Sequence, residues 1–302
     1  MAKFPFVTDG IRGDVPTNFY PASDSEKEII LNPTAGLLEL CDITDCTEIR
    51  ALHNFGNYLY ALAQRGASSV LWRVDTAGGF SELGTVTTSA NGPAWIVNNA
   101  TQICIVDGVS GWVYTPATGL FVQITDLAFP GAGTVDYQDS YGLFTEPGTN
   151  NWFFSSPGDF LTFDALDFYA KESKPDNIVG LKCHRREPFI FGGDATEVWY
   201  NAGGNNASAS TPTFARNTGG LIEHGCGAVG SPTTFDGEAM TWLTDHGQVV
   251  QAVGYNAKIV SNQMFDRTVQ GYTQFSNAIA FSYRDEGHIF YQIAFPAGDE
   301  TW

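Results

Sequence analysis

The sequence predicts an all-β protein, a six-bladed β-propeller-like ring. Aromatic residues make up 14% of the 302 residues, charged residues only 16%, and there are 33 glycines, a composition typical of a turn-rich β protein. A hairpin of two short apolar strands around a polar turn recurs six times along the chain. A tryptophan recurs in the second strand of these hairpins at a drifting spacing, which is typical of one four-stranded blade per repeat.

The hairpins define the repeat. They span residues 57–75, 101–117, 140–157, 187–203, 238–254 and 288–302. Separations of 40, 40 and 47 residues relate the tryptophans of the first four hairpins, which are Trp72, Trp112, Trp152 and Trp199. Val250 and Trp302 take this position in the last two hairpins, whereas Trp242 departs from the pattern because it lies in a first strand. We expect the aromatic side chains to pack between neighbouring blades, where a large flat group fills the wedge.

One more strand precedes each hairpin. These strands are predicted within residues 47–55, 93–99, 133–140, 177–184, 226–235 and 274–283. The sixth repeat reaches only its third strand, and residues 36–43, which have strand character, are predicted to close the ring by pairing with it. The predicted domains are an N-terminal extension over 1–35 and a β-propeller-like domain over 36–302 whose last blade is incomplete in the chain.

Three further local predictions concern turns, a helix and a loop. Gly192, Gly193 and Asp194 occupy the turn of the fourth hairpin and are expected to supply its φ > 0 and Asx conformations. Residues 261–272 predict a short helix with Ser261 as its N-cap. The small, polar stretch 201–220 is interpreted as a long loop.

Charge and cysteine usage limit the functional classes. A net charge of −18 argues against binding a nucleic-acid backbone, which needs clustered Lys and Arg, but an acidic wall is compatible with DNA passing beside it. The five widely spread cysteines favour reduced thiols over a disulfide framework. The sequence has neither the apolar stretch of a signal peptide nor a run of about 20 apolar residues, so a soluble protein made in a cytoplasm is expected.

Catalytic and cofactor motifs are not found in the sequence. A GxSxG elbow, HExxH, Walker loop, GxGxxG and EF-hand spacing are all missing. The nearest match to a sialidase-type Asp box, residues 296–302, has only the final Thr-Trp in register. We therefore predict no enzyme, with no catalytic, cofactor-binding or metal-binding residues and no cofactor.

Two kinds of chemical site stay open as minor alternatives. The pairs Cys183–His184 and His224–Cys226 are metal-ligating residue types, but the histidines fall in different repeats and form no local metal pair. The carboxylate pairs Asp164/Asp167 and Asp42/Asp45 have the residue types of a glycosidase pair, which the fold would have to bring together. Without a pocket they are ordinary loop acids.

Residues 172–204 and 213–254 resemble the packaged-DNA stabilisation proteins of short-tailed bacteriophages, the tail hub or nozzle family. The matching pieces are Pro175-Asp176 before Ile178 and Gly180, Phe191-Gly192 before Glu197, Phe214 and Arg216, Gly225, Ser231, and Gly247-Gln248-Val249. Residues 15–40 also look like the opening of the family. Its members continue past the position of Trp302, so contacts of their C-terminal β region are not assigned to this chain.

The resemblance implies a structural virion protein of the phage tail, assembled in the host bacterial cytoplasm. It implies a homo-oligomeric ring, expected to be a hexamer, that completes the head after packaging, retains the DNA and conducts it at ejection. The implied partners are the head-to-tail adaptor and portal, the tail needle, fibre or spike proteins, and packaged double-stranded DNA passing through the lumen without sequence-specific binding; no membrane partner is implied. The alternatives are a polysaccharide-degrading propeller enzyme and a carbohydrate-binding propeller.

Overall fold

The computed structural model describes residues 19–23, 29–34, 38–87, 92–204 and 211–302. Within these residues the fold is almost entirely β, and the only α-helix, α1, has eight residues. The chain divides into two compact units, one of residues 39–221 and one of residues 222–302 together with the N-terminal segment up to residue 38. In the described part of the chain, no helix has the length and apolar character that crossing a membrane requires.

The strands form a hairpin and six successive antiparallel sheets. The hairpin consists of β1 (Phe19–Ser23) and β2 (Ile29–Pro33). Blade one consists of β3 (Glu48–Phe55), β4 (Tyr58–Arg65), β5 (Ser68–Val74) and β6 (Phe80–Val86). Blade two consists of β7 (Trp95–Asn98), β8 (Ile103–Val106), β9 (Gly111–Thr115) and β10 (Leu120–Gln123). Blade three consists of β11 (Val135–Gln138), β12 (Tyr141–Thr145), β13 (Asn151–Ser155) and β14 (Phe163–Ala170).

The remaining blades follow the same order. Blade four consists of β15 (Ile178–His184), β16 (Glu187–Gly192), β17 (Thr196–Asn201) and β18 (Phe214–Ile222). Blade five consists of β19 (Thr233–Phe235), β20 (Ala239–Leu243), β21 (Val249–Val253) and β22 (Asn256–Ile259), and α1 (Gln263–Gln270) follows it. Blade six consists of β23 (Ile279–Asp285), β24 (His288–Phe295) and β25 (Glu300–Thr301). The predicted fold class, an all-β propeller with six blades, is confirmed.

Tight turns join the first two strands of each blade. In blade three the turn residues Asp139 and Ser140 have φ values of 49° and 77°, and in blade four Arg185 and Arg186 have 51° and 64°. Two consecutive positive φ values match the right-handed twist of a hairpin. The two turns also contact each other, because Arg186 Nε donates to Asp139 Oδ1 at 2.9 Å. First strands of adjacent blades are therefore neighbours in this unit.

Apolar side chains fill the wedges between adjacent blades of the 39–221 unit. Trp112 belongs to a cluster shared by blades one and two, and Trp152 and Trp199 belong to one shared by blades three and four. The last two rings meet edge to face, with centroids 5.3 Å apart. Trp72 instead packs within blade one and against Ile43. The predicted wedge position is confirmed for the other three tryptophans.

The 222–302 unit has its own core. Leu243 and Val249 of blade five pack with Phe295 and Trp302 of blade six in one cluster. Helix α1 joins this cluster through its buried residue Phe265, whose ring lies 5.4 Å from that of Trp302. The helix therefore completes the apolar core between the last two blades.

The predicted helix is confirmed, but its N-cap is the next residue. Asn262 Oδ1 accepts a hydrogen bond from Phe265 N at 2.9 Å. Ser261 is engaged elsewhere, since its Oγ donates to Asp266 at 2.6 Å and accepts from Val249 N at 3.0 Å. The serine therefore ties the helix to β21 and is not free to cap.

The long loop predicted for 201–220 is wrong over residues 214–220, which belong to β18. This strand needs few apolar residues because it is the outer strand of blade four, and it buries only Phe214, Gly220 and Ile222. Residues 205–210 lie outside the described residues.

The predicted closure by residues 36–43 is wrong for 38–43, which form no strand. Ile43 packs against blade one, and residues 36 and 37 lie outside the described residues. The hairpin β1–β2 contacts the last blade instead, because the buried ring of Tyr20 lies 5.1 Å from His288 and 5.0 Å from Phe290, both in β24. An aromatic contact takes the place of the expected strand pairing. The domain boundary at residues 35 and 36 stays a prediction.

Candidate functional site

Two groups of side chains in the 39–221 unit combine charge with burial. The first surrounds Glu197 of β17, which is 1% exposed. Its Oε1 accepts hydrogen bonds from Glu172 N at 2.9 Å, Ser173 N at 2.6 Å and Ser173 Oγ at 2.5 Å. Its Oε2 accepts from Trp199 Nε1 at 3.0 Å. The carboxylate thus holds the loop before blade four against the tryptophan of that blade.

Arg216 of β18 lies beside the same carboxylate. Its Nη1 donates to Ser173 Oγ at 3.1 Å and lies 3.6 Å from Glu197 Oε1. Four hydrogen bonds already stabilise the buried carboxylate, so the half-exposed guanidinium adds a weaker, partly screened attraction.

A buried ion pair continues this group. The fully buried Lys171 bonds through Nζ to Asp176 Oδ1, and Asp176 Oδ2 accepts from Asp194 N at 2.8 Å. Burial alone raises the pKa of Asp176, but the hydrogen bonds from Lys171 and Asp194 outweigh it and lower that pKa. We call Lys171, Ser173, Asp176, Glu197 and Arg216 the blade-four cluster.

The close approach of this ion pair explains the glycine at 192. A Cβ atom there would lie 2.2 Å from Asp176 Oδ2 and 2.5 Å from Lys171 Cε. The expectation that Gly192 and Gly193 supply φ > 0 is wrong, since neither residue has a positive φ. The turn requires a residue without a side chain at position 192. It does not require a left-handed backbone conformation there.

The second group lines a groove of about 260 Å³ on blade three. We call it the blade-three groove, and the residues that matter most in its lining are Leu127, Pro130, Glu146, Asp164, Asp167 and Phe168. Its shape comes from a bulge in β14, where the register shifts between Phe153, opposite Phe168, and Ser155, opposite Phe163. Residues 164–167 are consequently pushed out of the regular ladder.

The carboxylates of the groove have different surroundings. Burial, followed by the charge of Asp164, raises the pKa of Asp167 to about 6. Glu146 is held in place, because its Oε2 accepts from Asn151 Nδ2 at 2.7 Å and from Thr149 Oγ1 at 3.2 Å. Near neutral pH the groove is acidic.

The structure brings together one of the two carboxylate pairs singled out in the sequence. Asp164 and Asp167 interact on the outer strand of blade three, whereas Asp42 and Asp45 lie in the segment that precedes blade one. A raised pKa is a property of a general acid, but it is also what a half-buried carboxyl beside a second one shows without any catalysis.

Neither cysteine–histidine pair belongs to a cluster of potential metal ligands among the described residues. Cys183 and His184 are consecutive in β15, so their side chains point to opposite faces of the sheet. Cys226 is buried and donates through Sγ to Ala228 O at 3.1 Å. Over the described ranges, no group of three or more His, Cys, Asp or Glu side chains is arranged to hold a metal ion.

Sequence reasoning found the residues of the blade-four cluster only as parts of a resemblance. Asp176, Glu197 and Arg216 are among the residues that carry the resemblance, which assigns them no role, and Glu197 and Arg216 converge because β17 and β18 are neighbours in the sheet. The blade-three groove was missed, apart from the Asp164/Asp167 pair. The pattern DALDF at 164–168 places apolar residues between acids, which is the signal that could have indicated it.

Comparison with known proteins supports the fold and assigns a family. A model of the phage stabilisation family, described as bacteriophage P22 Gp10, beta-propeller, matches residues 57–302. This range contains all of blades two to six and most of blade one. No match was found among curated proteins.

Several solved structures are similar in fold. Hsv2 from Kluyvelomyces marxianus is 10% identical with a TM-score of 0.52, covering 94% of this chain and 84% of that chain. A Bacteroides uniformis protein provisionally named 6-phosphogluconolactonase is 12% identical with a TM-score of 0.52, covering 80% and 76%. The computationally designed Ika8 protein is 12% identical with a TM-score of 0.50, covering 95% and 93%. At such low identity these likenesses show the fold alone.

Proposed function

Because this chain belongs to the phage stabilisation family, the family of bacteriophage P22 Gp10, we propose that it forms the tail hub, or nozzle, of a short-tailed phage. In this role a ring of identical copies closes the DNA exit channel after packaging, helps retain the genome and conducts it at ejection. The chain acts as a structural virion protein and not as an enzyme. Family membership is the observation that carries the proposal.

The outer strands of the 39–221 unit support a role in assembly. Each of the four exposes a large apolar side chain: Phe80, Leu120, Leu166 and Leu221. Apolar groups exposed on the rims of several blades favour protein–protein contact over a free surface. A contact between different faces of identical copies closes into a ring when the rotation between them closes, and we propose six copies.

The charge of the chain supports passage of DNA. A net charge of −18 repels phosphate, so double-stranded DNA would slide past the protein without sequence-specific binding. The proposed protein partners are the portal and head-to-tail adaptor on one side and the tail needle and fibre or spike proteins on the other.

The test is assembly and genome retention. The purified chain is mixed with the portal–adaptor complex of its phage, and bound copies are counted by mass photometry and imaged by electron microscopy. Six copies in one ring are expected. Particles assembled without the chain should package DNA and then release it to nuclease.

Two results would contradict the proposal. One is a chain that stays monomeric beside the portal–adaptor complex, together with particles that keep their genome without it. The other is hydrolysis of host polysaccharide by the purified chain that Asp167→Asn abolishes, which would favour the enzymatic alternative.

A further inference from the structure

A surface with two cations and two apolar side chains lies at the outer end of blade five. Lys258 of β22 and Val260, whose N–H continues the ladder by donating to Val249 O at 2.9 Å, point to the same side because they are two residues apart. Met264 and Arg267 are three residues apart on α1 and are neighbours on the outward side of the helix. All four side chains are exposed. We call Lys258, Val260, Met264 and Arg267 the blade-five face.

The blade-five face is basic in a chain that is acidic as a whole. The sequence has 15 Lys and Arg against 33 Asp and Glu, so two exposed cations without an acid between them are unusual for this chain. Asp266 is the one acid in residues 256–270, and its carboxylate already accepts from Ser261 Oγ at 2.6 Å and Gln248 Nε2 at 3.2 Å. An acidic surface of a second molecule would complement the two cations.

The blade-three groove carries the matching groups with the opposite charge. Leu127, which is fully exposed, and Phe168, which is 51% exposed, both line it. Asp164 and Asp167 line it as well, and no Lys, Arg or His is among its lining residues. Two acids and two large apolar groups on this surface therefore correspond to two cations and two apolar groups on the blade-five face. Both surfaces are open to solvent in the single chain.

We infer that the blade-five face of one copy of this chain docks against the blade-three groove of the next copy. The apolar side chains of the two surfaces pack together, and the cations of the face pair with Asp164 and Asp167. Apolar groups that are covered and charges that stay at the rim are the usual anatomy of a protein interface. The inference rests on the proposed ring of identical copies and names its contact, in which two different faces meet and the contact repeats around the axis.

Disulfide cross-linking tests which surfaces meet. Chains with Met264→Cys and chains with Leu127→Cys, carrying tags of different size, are assembled with the portal–adaptor complex and oxidised at pH 7.5, above the pKa of about 6 of Asp167. We expect a cross-linked dimer from the mixture and none from either variant alone, because each copy then brings only one thiol to the contact. Leu120→Cys replaces Leu127→Cys as the matched control, since Leu120 is 52% exposed but lies on the outer strand of blade two. The parent chain, with its own free cysteines, gives the background.

Two neutral variants test the role of charge. K258S/R267S and D164N/D167N should each raise, by about tenfold, the chain concentration at which half of the portal–adaptor complexes carry a ring. The asparagine at 164 keeps the side-chain oxygen that accepts from Leu166 N, so the local backbone keeps its hydrogen bond. K258R/R267K keeps both charges and should assemble like the parent chain.

The outcomes separate this contact from the ring itself. Six-copy rings that form without the mixed cross-link, or that form equally well from both neutral variants, overturn the inference and leave the proposed function standing. A cross-link in Met264→Cys alone overturns it in favour of two identical faces, and a cross-link from this cysteine to the portal or adaptor assigns the blade-five face to that partner. A parent chain that stays monomeric beside the complex overturns both the inference and the proposed function.

Discussion

Blades three and four place a tryptophan at the same position of the same repeat, yet they surround it differently. Trp152 and Trp199 lie in the third strands and contact each other edge to face. The indole N–H of Trp199 donates to Glu197 at 3.0 Å. The buried indole N–H of Trp152 finds no hydrogen-bond acceptor among the described residues, and aromatic rings surround it.

The difference extends to the edge of each blade. In blade four the cluster of buried charges fixes the loop before β15 against β17 and β18. In blade three the core is aromatic, and the outer strand bulges and exposes apolar side chains. A buried polar network requires each group to be satisfied and so specifies one geometry, whereas aromatic packing tolerates an irregular edge. The comparison indicates that blade four is a rigid support and that blade three offers a surface.

The largest expected effect comes from breaking the ion pair of the blade-four cluster. Lys171→Met leaves Asp176, whose side chain is only 11% exposed, without its cation, and we expect a loss of about 3 kcal/mol in the free energy of unfolding. Urea-induced unfolding followed by tryptophan fluorescence measures it. Removing both charges, in Lys171→Met with Asp176→Asn, should recover part of the loss.

A surface ion pair provides the control for this change. Arg65 and Glu82 lie 2.8 Å apart with both side chains more than a third exposed, so Arg65→Met should leave the urea midpoint almost unchanged. If Lys171→Met costs no more than Arg65→Met, the blade-four cluster does not stabilise its blade.

The next effect tests the close approach at Gly192. Gly192→Ala pushes a methyl group into Asp176 and Lys171, and we expect a cost of about 3 kcal/mol, at the upper end for overpacking. Gly193→Ala is the matched control, since its Cβ would lie 4.0 Å from Asp176 Oδ2 and meet no other atom. Equal urea midpoints for the two variants would show that the ion pair moves freely aside.

The two tryptophans can be compared directly. Trp152→Phe and Trp199→Phe remove similar volume, but the second also removes a hydrogen bond to a buried carboxylate, worth about 2 kcal/mol. We expect Trp199→Phe to lower the free energy of unfolding by that amount more than Trp152→Phe does. In a Glu197→Gln background the difference should shrink, which a double-mutant cycle measures. An unchanged difference would assign it to packing.

The repeat could be predicted from the sequence because hairpins and tryptophans recur at regular intervals. The positions of all six blades follow from that periodicity. The blade-four cluster could not be predicted from the sequence. Gly192 is restricted by Lys171 and Asp176, which belong to the preceding loop and do not recur at a regular interval. The bulge at 164–167 is likewise set by how β14 pairs with β13. The apolar character of residues 36–43 suggests a closing strand, whereas Tyr20, next to Phe19 in an otherwise polar segment, gives little signal.

The smallest expected effect concerns Asp167 and depends on pH. Its pKa is raised from 3.8 to about 6 in the folded chain, so the folded state holds the proton more tightly than the unfolded state. Stability from this group is therefore present below about pH 4 and is lost as pH rises through 6. Asp167→Asn should match the parent chain in free energy of unfolding at pH 4 and exceed it at pH 8 by about 1 kcal/mol or less, because solvent screens a partly exposed group. If the difference in stability between Asp167→Asn and the parent chain is the same at every pH in this range, the pKa of Asp167 is not raised in the folded chain. The carboxylates of blade three would then have no unusual titration that sets them apart from those of blade four.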